Sequence, residues 1–388
     1  MNMRAHMGMG HMSMGSATGA ARPALLFSAI TTAMRMRPHA RVCARDDVRT
    51  FDDVLGEVSE KAGRFDAVLT RPRSRVLVAL GNYPGCISTV LALLARGDVP
   101  VLASPALPRT AMRELIAGCG IEAVVTAGHE PGARLDDCSR VQRTGFDEAG
   151  PALHRDTELC RVRSAAGGGP ICLEYSATAV LNAATAWVGA SKLREGDRTL
   201  CFAGLHTRFG FHTAAVANLV AGADLILPSD THTTGGVQRH LVEEAPTVLA
   251  ADPVVYQAMM PGREELPADV AAALRRVRMR LAPHSMASSV AARVRALSGP
   301  ITICYGLDET GPVGYGFDSA EGGGIHLLSG VRVQECVVGG QRCARIHTKS
   351  AATTYLNDPA AFERSVAADG GYLSRDLAAL PGAVIATD

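Results

Sequence analysis

The segment Ile301-Thr302-Ile303-Cys304-Tyr305-Gly306-Leu307-Asp308-Glu309-Thr310 carries residue types suited to binding a ligand. A β-branched run stops at Gly306, and an aromatic ring, Tyr305, stands four residues before a hard oxygen donor, Glu309. Strands of an α/β sheet present binding groups at their carboxyl ends, so this pair suits a flat heterocycle beside a metal-bound phosphate. A second set is nucleophilic. Cys172 or Cys304 could carry an acyl group as a thioester if His206, His212 or His284 lowered the thiol pKa. Both could equally pack as small core hydrophobes. A third set lies in His206-Thr207-Arg208-Phe209-Gly210-Phe211-His212, where Arg208 could grip a carboxylate within an aromatic wall or simply face solvent.

Positioning such groups requires sheets, and the hydrophobic pattern supplies them. Arg75–Leu80 is a short apolar run, as expected of a strand covered on both faces. The helical spacing from Cys86 to Arg96 stops at Gly97, and a second strand follows at Val99–Ala103. A helix over Arg109–Cys119 and a strand over Glu122–Thr126 complete a parallel α/β layer. The polar segment His129–Arg161 reads as a linker. Beyond it the spacing predicts a helix over Ala177–Ala190, strands over Asp197–Phe202 and Thr247–Ala250, and a helix opening at Thr213. From Gly322 onward short alternating strands, 331–338 and 343–348, flank Gly339-Gly340 as a hairpin.

Tyr305-Gly306-Leu307-Asp308-Glu309 resembles the Tyr-Gly-x-Thr-Glu motif of the adenylate-forming enzymes, the family of acyl-CoA and aryl-CoA ligases, with Asp308 replacing the threonine. Gly370-Gly371-Tyr372-Leu373-Ser374-Arg375-Asp376-Leu377 is similar to the family's Gly-Trp-x-x-Thr-Gly-Asp-Leu. The resemblance implies α/β architecture: two stacked α/β subdomains over 21–155 and 156–325 and a small β subdomain over 326–388. It also implies that the family's mobile carboxyl-terminal domain is absent, and residues 1–20 read as a disordered leader. Tyr305, Gly306 and Asp376 would face adenosine, and Glu309 would be the catalytic carboxylate. Cys172 and His206 would join it in catalysis, while Arg208, Phe209, Phe211, His212, His284 and Ser285 would line the acyl pocket.

By position Ser164–Pro170 aligns with the family's phosphate-binding loop, but Ala165, Ala166 and Gly167 replace hydroxyls and Ile171 stands at the lysine position. Losing one such electrostatic donor costs about 10²–10³ in rate, so several together should disable pyrophosphate chemistry. Neither ATP nor Mg²⁺ is therefore expected; a CoA thioester or an AMP moiety is the expected ligand. The sequence then fits ATP-independent acyl transfer to an acyl carrier protein or an amine. Its alternatives are a ligase completed by a carboxyl-terminal domain in trans, or a non-catalytic ligand-binding or scaffold protein.

Composition bounds the rest. A net charge of +1 over 388 residues, with no basic block, gives no reason to expect nucleic acid or membrane as partner. No run of about 18 apolar residues occurs. Ten scattered cysteines without a C-x-x-C pair or metal-ligand spacing suit a reduced, cytoplasmic chain with no metal site.

Overall fold

The computed structural model describes residues 23–375 apart from 46, 129–131, 147, 149, 165–168, 229–232, 261–264 and 319–323. The leader, the centre of the expected phosphate loop and Asp376 thus lie outside the described residues.

Two large sheets and one small sheet carry the architecture. The eight-stranded sheet runs Thr354–Tyr355, Pro170–Ser176, Thr157–Ser164, Val99–Leu102, Arg75–Val78, Ala123–Ala127, Ser139–Arg143 and Ala133–Arg134 in spatial order. Its centre is parallel, and its flanks are antiparallel. The nine-stranded sheet holds His326–Leu327, Gly311–Phe317, Thr302–Leu307, Met279–Ala282, Val248–Ala250, Arg198–Cys201, Asp224–Ile226, Arg41–Ala44 and Asp47–Thr50. Arg332–Val338, Gln341–His347 and Tyr372–Ser374 form the small sheet. The expected α/β fold with a small β unit is what the chain adopts. Sheet membership crosses the expected division near residue 155, because Arg41–Thr50 joins the later sheet and Thr157–Ser176 the earlier one.

Local chemistry explains the helices between the sheets. Phe51–Asp66 starts with a reciprocal capping box between Thr50 and Asp53 and turns Phe51, Val54, Val58 and Phe65 inward. Pro84–Ala95 has proline in its first turn, and nearly every side chain is buried. Ala177–Ser191 is capped by Ser176, whose hydroxyl accepts from the Ala179 N–H at 3.1 Å. Each leucine or phenylalanine covered this way contributes about 1.5–3 kcal/mol.

Two departures from the sequence pattern matter for the site. The segment read as a linker builds the strands Ala133–Arg134 and Ser139–Arg143 and begins Thr157–Ser164. Val141 points inward while its arginine and glutamine neighbours face out, as suits a strand near a sheet edge. The helix expected from Thr213 starts instead at Phe209 as a π-helix, Phe209–Val216, and continues as the α-helix Ala217–Ala221. Gly210 permits this start, since a Cβ there would lie 2.1 Å from the Gly204 carbonyl oxygen.

Candidate active site

Period-two alternation along Thr157–Ser164 puts Arg161 and Arg163 on one face of the strand and Cys160 and Val162 on the other. Arg161 is 1% exposed. Its Nη2 donates to Asp308 Oδ1 at 2.6 Å and to the Tyr175 hydroxyl at 2.8 Å, and its Nη1 donates to the His206 carbonyl at 3.3 Å. The guanidinium also lies over the Tyr175 ring, 5.3 Å from its centroid. Arg163 Nη2 donates to Glu309 Oε1 at 2.9 Å, and that same oxygen accepts from the Tyr355 hydroxyl at 2.5 Å. Both carboxylates that follow Thr302–Leu307 are thereby held by arginines of the facing sheet.

Of these groups Arg161, Arg163 and Asp308 border a cavity of about 220 Å³, with Ser104, Leu107 and His206. Electrostatics inside it are set by burial against pairing. Burial opposes ionisation of Asp308, but Arg161 prevails and holds the carboxyl pKa below the ordinary value. Burial, aided by Arg161, pushes the His206 imidazole down to about 4. At neutral pH His206 is an uncharged donor and acceptor beside two fixed cations.

Tyr305 closes the strand Thr302–Leu307 at 8% exposure, over Gly316 of the neighbouring strand, and interacts with Ser285. The strand shifts register between Tyr305 and Gly306. Gly306 has φ 155, and a Cβ there would sit 2.1 Å from the Gly311 carbonyl oxygen, so glycine is required. Arg208 is 6% exposed and donates to the Gly306 carbonyl at 3.2 Å and toward Cys304 sulfur at 3.9 Å. It is not a surface residue. His212 is fully buried, edge-on to Tyr175 with centroids 5.0 Å apart, and neither ring nitrogen has a partner. Burial, then Arg161 and Arg208, depresses its pKa well below the ordinary value.

Several expected site residues do not line this cavity. Phe209 and Phe211 are 3% and 4% exposed and belong to the main core, because the π-helix turns them inward. His284 and Ser285 are exposed, with His284 Nδ1 3.1 Å from the Ser285 carbonyl. Cys172 has no exposed surface and packs with Cys119 and Cys160 in the apolar cluster on the opposite face of the sheet from Arg161. Cys119 lowers its thiol pKa, but Cys160 and burial outweigh that and leave it well above the ordinary value. A thiol so placed is a core hydrophobe, and the nucleophile expectation is corrected accordingly. Cys172→Ala is expected to leave acyl labelling of the protein by benzoyl-CoA unchanged in intact-protein mass spectra; loss of a label would reinstate the thiol.

Glu309 was also expected as a carboxylate for Mg²⁺. One of its oxygens already accepts from Arg163 and Tyr355, and no cluster of three His, Cys, Asp or Glu able to hold a metal occurs among the described residues. Arg161 and Arg163 themselves were missed in the sequence, although arginines two apart, flanked by apolar residues, carry the period of a strand.

Residues 171–329 match the AMP-binding enzyme family. The anthranilate–CoA ligase of Pseudomonas aeruginosa is 25% identical over 245 residues, covering 58% of this chain and 46% of that ligase. The chain thus spans less than half the length of that curated relative. An anthranilate CoA ligase, AuaEII, in complex with anthranoyl-AMP superposes with a TM-score of 0.74 at 16% identity, covering 92% of this chain and 78% of its own. The N-terminal domain of FACL13 from Mycobacterium tuberculosis gives 0.73 at 16% identity, with 90% and 94% covered. MatB from Rhodopseudomonas palustris gives 0.74 at 15%, with 90% and 75% covered. These likenesses of structure establish the fold, and the matched segment contains Tyr175, His206, Arg208, Tyr305, Asp308 and Glu309. Residues 171–329 carry the likeness to the AMP-binding enzymes, and the chain has the fold of the large domain of adenylate-forming enzymes.

Proposed function

We propose that this protein handles an acyl or aryl group that arrives already activated, as a CoA thioester or an acyl adenylate, and passes it to a thiol or amine acceptor without consuming ATP. A single observation carries the reading: Glu309, the carboxylate expected to serve Mg²⁺, is ion-paired to Arg163. A metal-assisted adenylation would have to share that carboxylate with Arg163 and Tyr355.

Transfer asks less of the site. An acceptor thiolate attacks the thioester carbonyl, a new C–S bond forms, and the tetrahedral oxyanion collapses with departure of the CoA thiolate, which takes a proton from water. The chain's contribution is to exclude water and to stabilise the oxyanion. Arg163, which lines the cavity with a side chain 30% exposed, is the donor on offer. Where the acceptor enters as a thiol, His206, uncharged at neutral pH, takes its proton as the C–S bond forms and hands it to the departing CoA thiolate. An acyl carrier protein is the proposed macromolecular acceptor. No helix among the described residues is long and apolar enough to cross a membrane.

ATP–pyrophosphate exchange is expected to be absent with benzoate, anthranilate or aliphatic acids, whereas benzoyl-CoA or anthraniloyl-CoA should acylate cysteamine or a holo carrier protein above the uncatalysed rate. Robust exchange with any of these acids would overturn the reading in favour of a ligase whose carboxyl-terminal domain is supplied separately. Absence of both activities would favour a non-catalytic binding role.

A further inference from the structure

The hairpin of Arg332–Val338 and Gln341–His347 sets one cysteine directly opposite another: Cys336 is the Cα partner of Cys343. Other antiparallel ladders put a different residue across from each thiol. Cys43 faces Val48, Cys160 faces Glu174, Cys172 faces Val162 and Cys304 faces Tyr315. The turn fixes the register of the hairpin. Gly339 and Gly340, with φ of 58 and 79, make a two-residue connection with both central residues left-handed, and Val338 pairs with Gln341 across it. Along an antiparallel ladder, pairs that exchange backbone hydrogen bonds alternate with pairs that do not. Two steps in from the turn, Cys336 and Cys343 are a pair of the first kind, with Cα atoms about 5.5 Å apart. That separation lies inside the range of about 4.4–6.8 Å that a disulfide spans, and opposed side chains leave the sheet on the same face.

Both thiols are free. Cys336 is half-buried, so a small reagent reaches it. Cys343 is 2% exposed, and its thiol donates to the Gln341 carbonyl at 3.7 Å. An accessible sulfur stands across from a sheltered one, the arrangement of an attacking and a resolving thiol.

We propose that Cys336 and Cys343 are a reversible dithiol–disulfide site, oxidised by a small disulfide such as oxidised glutathione. The Cys336 thiolate attacks one sulfur of the oxidant; an S–S bond forms to Cys336, the oxidant's own S–S bond breaks, and one glutathione leaves as its thiolate. Cys343 then gives up its proton, turns from the Gln341 carbonyl and attacks the Cys336 sulfur, closing the cross-strand bond and expelling the second glutathione thiolate. The two protons released by the cysteines pass through water to the two glutathiones, so one disulfide is reduced as the other forms. Cβ atoms across such a pair stand about 4.5–5.5 Å apart, against about 3.5–4.5 Å in a relaxed disulfide. Closure therefore draws the strands together, and the bond stays readily reducible. No residue lining the cavity takes part, so the site stands independently of the transfer reading.

Tryptic mapping tests this on the native protein after incubation with oxidised glutathione, followed by alkylation without reduction. Trypsin cuts after Arg332, Arg342 and Arg345, so residues 333–342 and 343–345 separate unless the disulfide joins them. The joined pair should appear, the two free peptides should be lost, and dithiothreitol should restore them. Phenylarsine oxide, which takes up two neighbouring thiols with loss of one water, should bridge the same two peptides in the reduced protein. Both products should vanish in Cys336→Ser, with Cys343→Ala as the second variant if the first does not fold. Glutathione carried by the exposed Cys138 is read on its own peptide and leaves the result unaffected. Absence of the joined pair after oxidation overturns the proposal, even where the arsenical bridges the peptides. So does glutathione that stays on Cys336 without closure, a bond from either cysteine to another thiol of the chain, or a dimer joined through Cys336.

Discussion

Replacing Arg161 with methionine is expected to lower the stability of the protein by about 3–5 kcal/mol, because it removes one partner of a buried pair and leaves the other charged. The guanidinium is 1% exposed and simultaneously serves Asp308, the Tyr175 hydroxyl and the His206 carbonyl. Its loss leaves three acceptors without this donor and Asp308 without its ion-pair partner. The effect should appear as a fall in the urea midpoint with an unchanged denaturant slope. Adding Asp308→Asn should recover a large part of it, since the orphaned charge disappears. A loss below about 1 kcal/mol, the scale of an exposed ion pair, would mean that the pair is not formed in solution.

Stability should also fall as the pH is lowered from about 6.5 to about 4, through His206. The folded imidazole has its pKa depressed below the ordinary 6.5, so in that window the unfolded chain binds a proton that the folded chain refuses. The contribution is fully present above pH 6.5 and is lost as the pH drops through the folded value, amounting to about 3 kcal/mol. His212 acts in the same direction, having no exposed surface and no partner for either nitrogen. Asp308, whose pKa is lowered, is lost only at more acid pH and so separates from both. His206→Gln should flatten the profile between pH 6.5 and 4 relative to the parent chain, read by urea titration at each pH. A parent stability that stays constant from pH 7 to pH 5 would contradict the burial of both rings.

Much of the fold was legible because burial imposes its period on the chain. The helix Arg109–Cys119 and the alternation from Arg75 to Ala127 were readable from apolar spacing alone, as was the hairpin around Gly339-Gly340. The Tyr305 to Glu309 motif likewise pointed to the cleft. What escaped were features created by neighbours. Whether Cys172 faces a cleft or a core depends on which side of its strand meets the helix Arg109–Cys119, and one residue of register decides that. Phe209 and Phe211 were read as a wall from the place of the His206–His212 turn in the resemblance; the π-helix begins at Phe209 and turns both into the core. Arg161 and Arg163 were hidden by the polarity of the residues before them, which resembles a loop until each guanidinium is matched to a carboxylate about 150 residues away.

The carboxylate of Glu309 belongs to the turn after Thr302–Leu307 in the nine-stranded sheet, yet it is held by Arg163 and Tyr355 of the eight-stranded sheet. Tyr355 in turn lies 3.5 Å, oxygen to oxygen, from Tyr372 of the small sheet. Four side chains therefore join three sheets at one point. Opening any one of them strips partners from the other two, which couples the three sheets at this point. A substitution at any of the four is therefore felt in all three sheets.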